Sequence, residues 1–295
     1  MTRVFLWIVA MLALAAAEAA TAAESPAAKQ AEEPVVALQN WAGCYIGANV
    51  GWTLTWDKLH LQPDGTYRTP AGASAPPNAA GTGALPGDLA LVTHHYTPTD
   101  SGFTGGPQIG CNWMHAASAT VFGIETDFNW TGREERTSAS YPAVTSANPA
   151  FTIAAHTERV STKRDWFSTV RARAGGVWNS TLIYGTAGLA VSRVNSKTVT
   201  QFGNAGGLGV YNDASHVGSA SAARPGIAVG TGLEYAFVKN WSLKAEYLFL
   251  FFPDPLTYRS PLVAPGGVAA GYSWKTKVSA LDEHVVRLGI NYKFW

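Results

Sequence analysis

Stretches of about ten residues in which apolar side chains alternate with polar or small ones recur along this chain. In residues 43–55, Ile46, Val50 and Trp52 fall on one parity and Asn49 falls on the other. A period of two places successive side chains on opposite faces of a β-strand. The pattern predicts eight strands, in residues 43–55, 102–113, 122–130, 165–174, 181–192, 227–237, 243–249 and 286–294. Alternation is weakest in residues 181–192, to which no faces are assigned.

The connections between these strands are alternately short and long. Short turns fall near residues 114–119, 178–181 and 238–241, and long Pro/Gly/Ser/Ala-rich segments span about 57–101, 132–162, 193–222 and 250–281. A soluble β-sandwich would explain the alternation but not this asymmetry of loop length. Outer-membrane barrels combine brief periplasmic turns with long extracellular loops. We therefore predict an all-β fold, an eight-stranded antiparallel up-and-down transmembrane β-barrel with four long extracellular loops and three short periplasmic turns.

The first residues carry an export signal. Arg3 precedes an apolar run over residues 4–17, and Ala20-Thr21-Ala22 provides a small-x-small cleavage site. This pattern predicts a signal peptide over residues 1–22 rather than an uncleaved inner-membrane helix. Residues 23–40 are predicted to be a flexible periplasmic lead, and residues 41–295 the barrel. A membrane-spanning helix needs an apolar run of about 18 residues or more, and no such run follows the signal. A closed barrel is then the way for this chain to enter the outer membrane.

The composition agrees with a lipid-facing sheet. Charged residues make up 14% of the chain, against about a quarter in soluble domains. Tryptophans fall at both ends of the predicted strands. The tryptophans at the periplasmic ends are Trp41, Trp113, Trp178, Trp241 and Trp295, and those toward the opposite ends are Trp52, Trp56, Trp130 and Trp166. Such residues form two aromatic girdles in contact with outer-membrane lipid. The net charge of +1 gives no reason to expect a nucleic-acid partner.

The parity that faces away from lipid carries acids and bases in equal number. They are Glu125, Asp127, Asp165, Glu234 and Glu246 against Arg171, Arg173, Lys244, Arg287 and Lys293. The interior of an eight-stranded barrel is just wide enough for its own side chains, and burying an unpaired charge there is costly. We therefore predict that these ten side chains form an ion-pair network that plugs the lumen. The plug favours a closed structural barrel over a small-solute porin.

Seven blocks carry a family resemblance: WAGCYIGANVGW, GGPQIGCNW, VFGIETDFNW, RDWFSTVRARAGGVW, LIYGTAGLAV, VGTGLEYAFVKNWSLKAEYLF and HVVRLGINYKF. In this order they resemble the small outer-membrane β-barrel family of alphaproteobacteria, the porin-family or outer-membrane immunogenic proteins, over residues 41–295. The resemblance implies an eight-stranded outer-membrane barrel. It also implies roles in envelope integrity and at the cell surface, and some relatives are reported to bind haem.

The last strand matches the alternating terminal signature that the barrel-insertion machinery reads in this family. The matching residues are Val286, Leu288, Ile290, Tyr292 and Phe294, and Trp295 extends the signature by one residue. The two cysteines depart from the Phe or Tyr usual at their positions. Cys44 begins the first strand and Cys111 ends the second. Because the periplasm is oxidising, we predict a cross-strand disulfide, and the alternative is two lipid-facing thiols in apolar positions.

Motifs of catalysis are missing from the sequence, which has no nucleophile elbow, CxxC or nucleotide fingerprint in the right context. We therefore predict no enzyme and no cofactor. His94 and His95 are weak candidates for a haem or metal site, because adjacent residues of an extended chain point in opposite directions. Solvated loop histidines are the alternative. The predicted function is a structural role in the envelope with surface interaction. The alternatives are a small-solute porin and a surface binder of an extracellular ligand such as haem through the long loops.

Overall fold

A closed barrel of eight antiparallel strands dominates the structure, and every barrel strand pairs with its neighbours in sequence. The computed structural model describes residues 39–56, 58–65, 67–68, 74–75, 93–97, 99–145, 152–153, 155–203, 209–210, 215–261, 263 and 272–294. The barrel strands are β1 Gly43–Trp56, β2 Thr99–His115, β3 Thr120–Tyr141, β4 His156–Trp178, β5 Thr181–Phe202, β6 Ser215–Val238, β7 Trp241–Phe252 and β8 Leu281–Lys293. Strands β1 and β8 close the barrel, with Ala48 opposite Ile290. The predicted up-and-down topology is confirmed.

Some predictions concern residues outside this range. The signal peptide (residues 1–22), nearly all of the periplasmic lead (residues 23–40) and Trp295 lie outside the described residues. These three therefore remain predictions. No helix in the described part of the chain is long and apolar enough to cross a membrane.

The outward parity of the strands is apolar, as the alternation predicts. Large exposed side chains include Ile46, Phe103, Ile124, Val170, Leu189, Ile227 and Leu288. Trp113 and Trp178 are exposed at the end with short turns, and Trp52 and Trp130 at the other. Trp41 was predicted to belong to the periplasmic girdle in contact with lipid. It is instead buried with Val121 and packs inside the barrel mouth. Both membrane interfaces are therefore lined by exposed tryptophans.

Short turns join the strands at one end. A one-turn 3-10 helix, Ala116–Ser118, links β2 to β3, and two-residue turns follow Trp178 and Val238. Asn179 and Asn240 occupy the left-handed region, with φ of 54° and 75°. Asparagine tolerates this conformation better than most residues, which suits it to tight hairpin turns. These are the predicted periplasmic turns.

The strands extend well beyond the membrane at the opposite, extracellular end. Strand β4 has 23 residues and β6 has 24, whereas crossing a bilayer takes about 9–11. Most of residues 132–162 and 193–222, predicted to be loops, is therefore strand. The inward side chains there are polar and short, such as Thr198 and Thr200, so the sequence shows no apolar alternation by which to recognise a strand.

A second sheet covers the inner faces of these extensions. Its strand order is Leu256–Pro261, Tyr272–Val278, Leu59–Gly65 and His94–Tyr96, and we call it the extracellular sheet. Leu61 and Val278 pack with Val160 of β4, and the Tyr258 hydroxyl lies 2.6 Å from that of Thr198 on β5. Shorter strands are Tyr67–Arg68, Ser74–Ala75, Val144–Thr145, Thr152–Ile153 and Gly209–Val210. The long connections therefore contain ordered structure.

Candidate functional site

Charged side chains from four strands meet at the centre of the barrel lumen. They are Glu125, Asp127, Arg171, Lys244, Glu246 and Arg287, and we call them the central cluster. Each is less than 5% exposed. Alternation alone places them inside, since each lies on the parity opposite the lipid-facing side chains. Three carboxylates and three cations share this space, so their charges compensate.

Arg171 pairs with all three carboxylates of the central cluster. Its Nη2 donates to Glu125 Oε1 at 2.6 Å and to Asp127 Oδ2 at 2.9 Å, and its Nη1 donates to Glu246 Oε1 at 3.1 Å. The planar guanidinium presents several donors at fixed angles, which allows one side chain to serve three carboxylates. Arg171 thereby joins strands β3, β4 and β7 through the lumen.

The remaining cations of the central cluster complete the pairing. Lys244 Nζ donates to Glu125 Oε1 at 2.8 Å. Arg287 donates from Nε to Glu246 at 2.7 Å and from Nη2 to Asp127 at 2.8 Å. Tyr45 and Tyr184 add neutral donors, with their hydroxyls 2.6 Å from Glu125 and 2.8 Å from Glu246. The carboxylates are thus supplied with donors despite their burial, as buried charge requires.

A second layer lies nearer the periplasmic end, around Arg173 and Glu234. Arg173 Nη1 donates to Glu234 Oε2 at 3.0 Å, and its guanidinium carbon lies 5.1 Å and 4.8 Å from the ring centroids of Tyr45 and Tyr184. These distances are typical of cation–π contacts. Asn291 donates to Glu234 Oε1 at 2.7 Å. The layer adds one acid and one base, so the charge stays balanced.

Sequence reasoning missed a third group of charges toward the extracellular end. Arg133 donates to Asp100 at 2.9 Å, to Glu283 at 2.9 Å, and to the hydroxyls of Thr53 and Thr55. The three charged residues lie beyond the ends of the predicted strands. A longer reading of the period-two pattern from residue 130 onward would have placed Arg133 on the inward parity.

An apolar layer also fills the lumen, beside the charges. It consists of Phe167, Ala190, Ala228, Leu248, Leu250, Phe252, Leu281 and Val285. On β7 it follows Glu246 directly in the extracellular direction, since Leu248 is the next inward residue. The signal for it is the run of residues 248–252, which is apolar on both parities. The outward residues of this run face lipid, so an inward parity that is also apolar indicates a dry, packed part of the lumen.

The prediction is wrong for Asp165 and Lys293, which lie outside the network. A register shift between Arg164 and Trp166 leaves Asp165 without a partner in the ladder, and its carboxylate accepts a hydrogen bond from Asn195 at 2.5 Å. A β-bulge of this kind inserts one extra residue and interrupts the alternation. Lys293 lies at the periplasmic end of β8, where its Nζ donates to the Asn40 carbonyl at 2.6 Å.

Because Asp127 lies inside the network and Asp165 outside it, replacing each by asparagine should change the free energy of unfolding by different amounts. We expect Asp127→Asn to lower the free energy of unfolding by about 2–3 kcal/mol, because it weakens charge-assisted hydrogen bonds from Arg171 and Arg287. Asp165→Asn should change it by less than about 0.5 kcal/mol. Urea titration of protein folded in lipid vesicles measures both. A large loss of unfolding free energy for Asp165→Asn would show that this carboxylate belongs to the ion-pair network.

Comparisons with known proteins identify the barrel. A family model described as outer membrane protein beta-barrel domain matches residues 8–294. The chain belongs to this family. It is 31% identical over 288 residues to the 31 kDa outer-membrane immunogenic protein of Brucella melitensis, a match that covers 97% of each chain. It is 26% identical over 240 residues to the 22 kDa outer membrane protein of Rhizobium leguminosarum bv. viciae, which covers 81% of this chain and 79% of the relative.

Membership of this family confirms the resemblance to alphaproteobacterial outer-membrane immunogenic proteins. The protein is an outer-membrane β-barrel protein, as predicted. Among solved structures, OprG from Pseudomonas aeruginosa matches at 12% identity with a TM-score of 0.36, over 86% of this chain and 97% of that one.

The two cysteines of this outer-membrane barrel lie directly opposite each other. Cys44 on β1 pairs in register with Cys111 on β2, and a disulfide joins them at a Cα–Cα distance of 4.0 Å. The bond ties the first two strands together at the periplasmic end. Both residues occupy the parity of Ile46 and Ile109, which faces lipid.

The two histidines proposed as weak ligand candidates have different surroundings. They lie on a strand of the extracellular sheet rather than in a solvated loop. His95 is exposed and contacts His60 edge to face at 4.4 Å. His94 is largely buried, with Nδ1 3.0 Å from Glu158 Oε1. The adjacent side chains thus point apart, as an extended backbone requires.

The C-terminal signature faces the membrane. Val286, Leu288, Ile290 and Tyr292 lie on the outward parity of β8, and Phe294 directly follows the strand. All five side chains are between 38% and 59% exposed. A row of apolar side chains on an exposed strand edge is available to a partner before β1 pairs with it.

Proposed function

We propose that this protein is a closed structural barrel of the outer membrane, with its lumen filled by ion pairs and its extracellular end available for surface interactions. The observation that carries the proposal is the charge-compensated lumen: the central cluster and the Arg173–Glu234 pair contain equal numbers of acids and bases, nearly all buried. A lumen built for transport would leave charges facing water, whereas these face one another.

Further packing supports closure at both ends. The apolar layer of Leu248, Leu250 and Phe252 lies on the extracellular side of the central cluster. On the periplasmic side, Trp41 packs with Leu182 across the barrel mouth. A cavity of about 30 Å³ there, lined by residues that include Tyr45 and Asn112, has room for only a few waters. Solutes therefore have no wide path past these layers.

The extracellular half supports the surface role. Long extensions of β3–β6 and the extracellular sheet form ordered structure beyond the membrane. The relatives in Brucella are named 31 kDa outer-membrane immunogenic protein, which fits exposure at the cell surface. Outer-membrane lipid is the partner of the outward apolar face, and the insertion machinery is the partner we propose for the signature on β8.

Conductance of the purified, folded protein in a planar bilayer tests the closed lumen. We expect no steady conductance from the unaltered protein. The double variant Leu248→Ala, Leu250→Ala, which thins the apolar layer, should show brief conductance events, whereas exposed Glu134→Gln should behave like the unaltered protein. Large, stable single-channel steps from the unaltered protein would overturn the proposal and make a small-solute porin the leading function.

A further inference from the structure

Three potential metal ligands converge between the extracellular sheet and the extension of β4. His94, His156 and Glu158 each offer one ligand atom, and these atoms all lie within 4.8 Å of one another. His94 Nδ1 is 3.0 Å from Glu158 Oε1, and His156 Nε2 is 3.7 Å from the same oxygen. In a tetrahedral zinc site, bonds of 2.0–2.2 Å set ligand atoms about 3.2–3.6 Å apart. The two measured separations bracket that range.

His156 is the residue that most needs an explanation. Its side chain is 1% exposed, and neither ring nitrogen has a hydrogen-bond partner within the described part of the chain. A buried polar group left without a hydrogen bond destabilises a fold, so such a group in a native structure calls for a ligand, an ion or water. Its Nε2 is directed toward Glu158, where a bound cation would lie between them.

The surroundings of Glu158 resemble the outer shell of a metal site. The Tyr96 hydroxyl donates to Glu158 Oε2 at 2.6 Å, which leaves Oε1 facing both histidines. Tyr141 stacks on the His94 ring at 3.5 Å and also contacts His156. Hydrogen bonds and packing of this kind orient the side chains that bind a metal and hold them in place.

The proposed ligands lie outside the membrane. Glu158 lies on β4 beyond Trp166, outside the membrane-spanning part of the barrel, and His94 lies on the extracellular sheet.

We propose that His94, His156 and Glu158 bind a divalent transition-metal ion of the Zn²⁺ type. Two imidazoles and one carboxylate, with a fourth position open to water, are a ligand set that zinc accepts. Mg²⁺ and Ca²⁺ prefer all-oxygen sites, so the two imidazoles disfavour them. The inference is independent of whether the lumen conducts, because the site lies above the apolar layer. It pairs His94 with His156, 62 residues away in the sequence, and not with His95.

An ion can reach this site from outside the cell. The His94 side chain is 12% exposed, whereas Glu158 is fully buried. The ligands also belong to two different elements, since His94 lies on the extracellular sheet and the other two on β4. A bound ion would therefore crosslink the extracellular sheet to the barrel.

Calorimetric titration of the full, folded and untagged protein with Zn²⁺, after treatment with a chelator, tests the proposal. We expect one high-affinity ion per chain, no comparable binding of Mg²⁺, and a rise in the midpoint of thermal unfolding with Zn²⁺. His94→Gln should weaken binding at least tenfold. Tyr96→Phe keeps all three ligands and should weaken it about tenfold, which tests the site even if the His94 variant disturbs folding.

Two matched controls remove histidines from other places. His95→Gln alters the exposed neighbour that contacts His60, and His115→Gln alters the periplasmic turn. Both variants should bind Zn²⁺ like the unaltered protein. Absence of high-affinity binding to the unaltered protein would overturn the proposal. So would binding that survives His94→Gln and Tyr96→Phe, or that disappears with His95→Gln, because the ion would then bind at the exposed histidine pair.

Discussion

Replacing Arg171 with alanine should lower the free energy of unfolding by about 3–5 kcal/mol. The substitution removes the hydrogen bonds to Glu125, Asp127 and Glu246 together. Those carboxylates remain buried, and one cation fewer compensates their charge. The cost arises mainly from the uncompensated buried charge rather than from the lost bonds themselves.

Arg173→Ala should act in the same direction, since it leaves Glu234 with its neutral donors Ser242 and Asn291. Urea unfolding in lipid vesicles, followed by tryptophan fluorescence, measures both variants. Arg136→Ala is the matched control, because Arg136 also pairs with a carboxylate, Glu134, at 2.9 Å but is largely exposed. Exposed pairs contribute little, so its unfolding should be unchanged. Equal stability of the Arg171 and Arg136 variants would show that the lumen charges are not paired as described.

Reduction of the Cys44–Cys111 bond should be the second large effect. The bond closes a loop with a sequence separation of 67, for which the chain-entropy relation gives about 4 kcal/mol. Residual structure in the unfolded chain reduces such values, so we expect a loss of about 2–4 kcal/mol. Oxidised and reduced protein, unfolded in urea under otherwise equal conditions, should differ by this amount.

Thiol labelling provides the direct test of the bond, because the chain has two cysteines. Denatured protein that has not been reduced should take up no maleimide, and after reduction it should take up one per cysteine. The double variant Cys44→Ser, Cys111→Ser is the control and should match the reduced protein in stability. Full labelling without reduction would contradict the disulfide and favour two thiols that face lipid.

Much of the barrel follows from the sequence because its two environments alternate along each strand. Val170 faces lipid and Arg171 faces the lumen, and this contrast repeats at a period of two. The same contrast identifies Glu125, Asp127, Glu234, Lys244, Glu246 and Arg287 as inward. The prediction from alternation is wrong for Asp165, because a β-bulge shifts the register there and the sequence around it gives no sign of the shift.

In the extracellular half of the barrel, hydrophobic alternation does not predict the strands. Strand β5 continues to Phe202 although its inward residues there, such as Ser196 and Thr198, are polar. Their burial depends on the extracellular sheet, where the hydroxyl of Tyr258 lies within hydrogen-bond distance of both the Ser196 and the Thr198 hydroxyls. A strand whose buried face is polar shows no hydrophobic alternation, so periodicity cannot separate it from a loop.

The sequence by itself determined the strands that cross the membrane and the near balance of charge within the lumen. It also determined the lipid-facing and inward sides of these strands, except in residues 181–192. Each of these depends on the local contrast between neighbouring residues. Only the tertiary structure decided which buried polar side chains contact one another. Closure of the barrel brings Arg287 to Asp127, 160 residues away, and folding of the extracellular sheet brings His94 to Glu158, 64 residues away. Such pairings follow from strand register and loop paths, which residue periodicity does not encode.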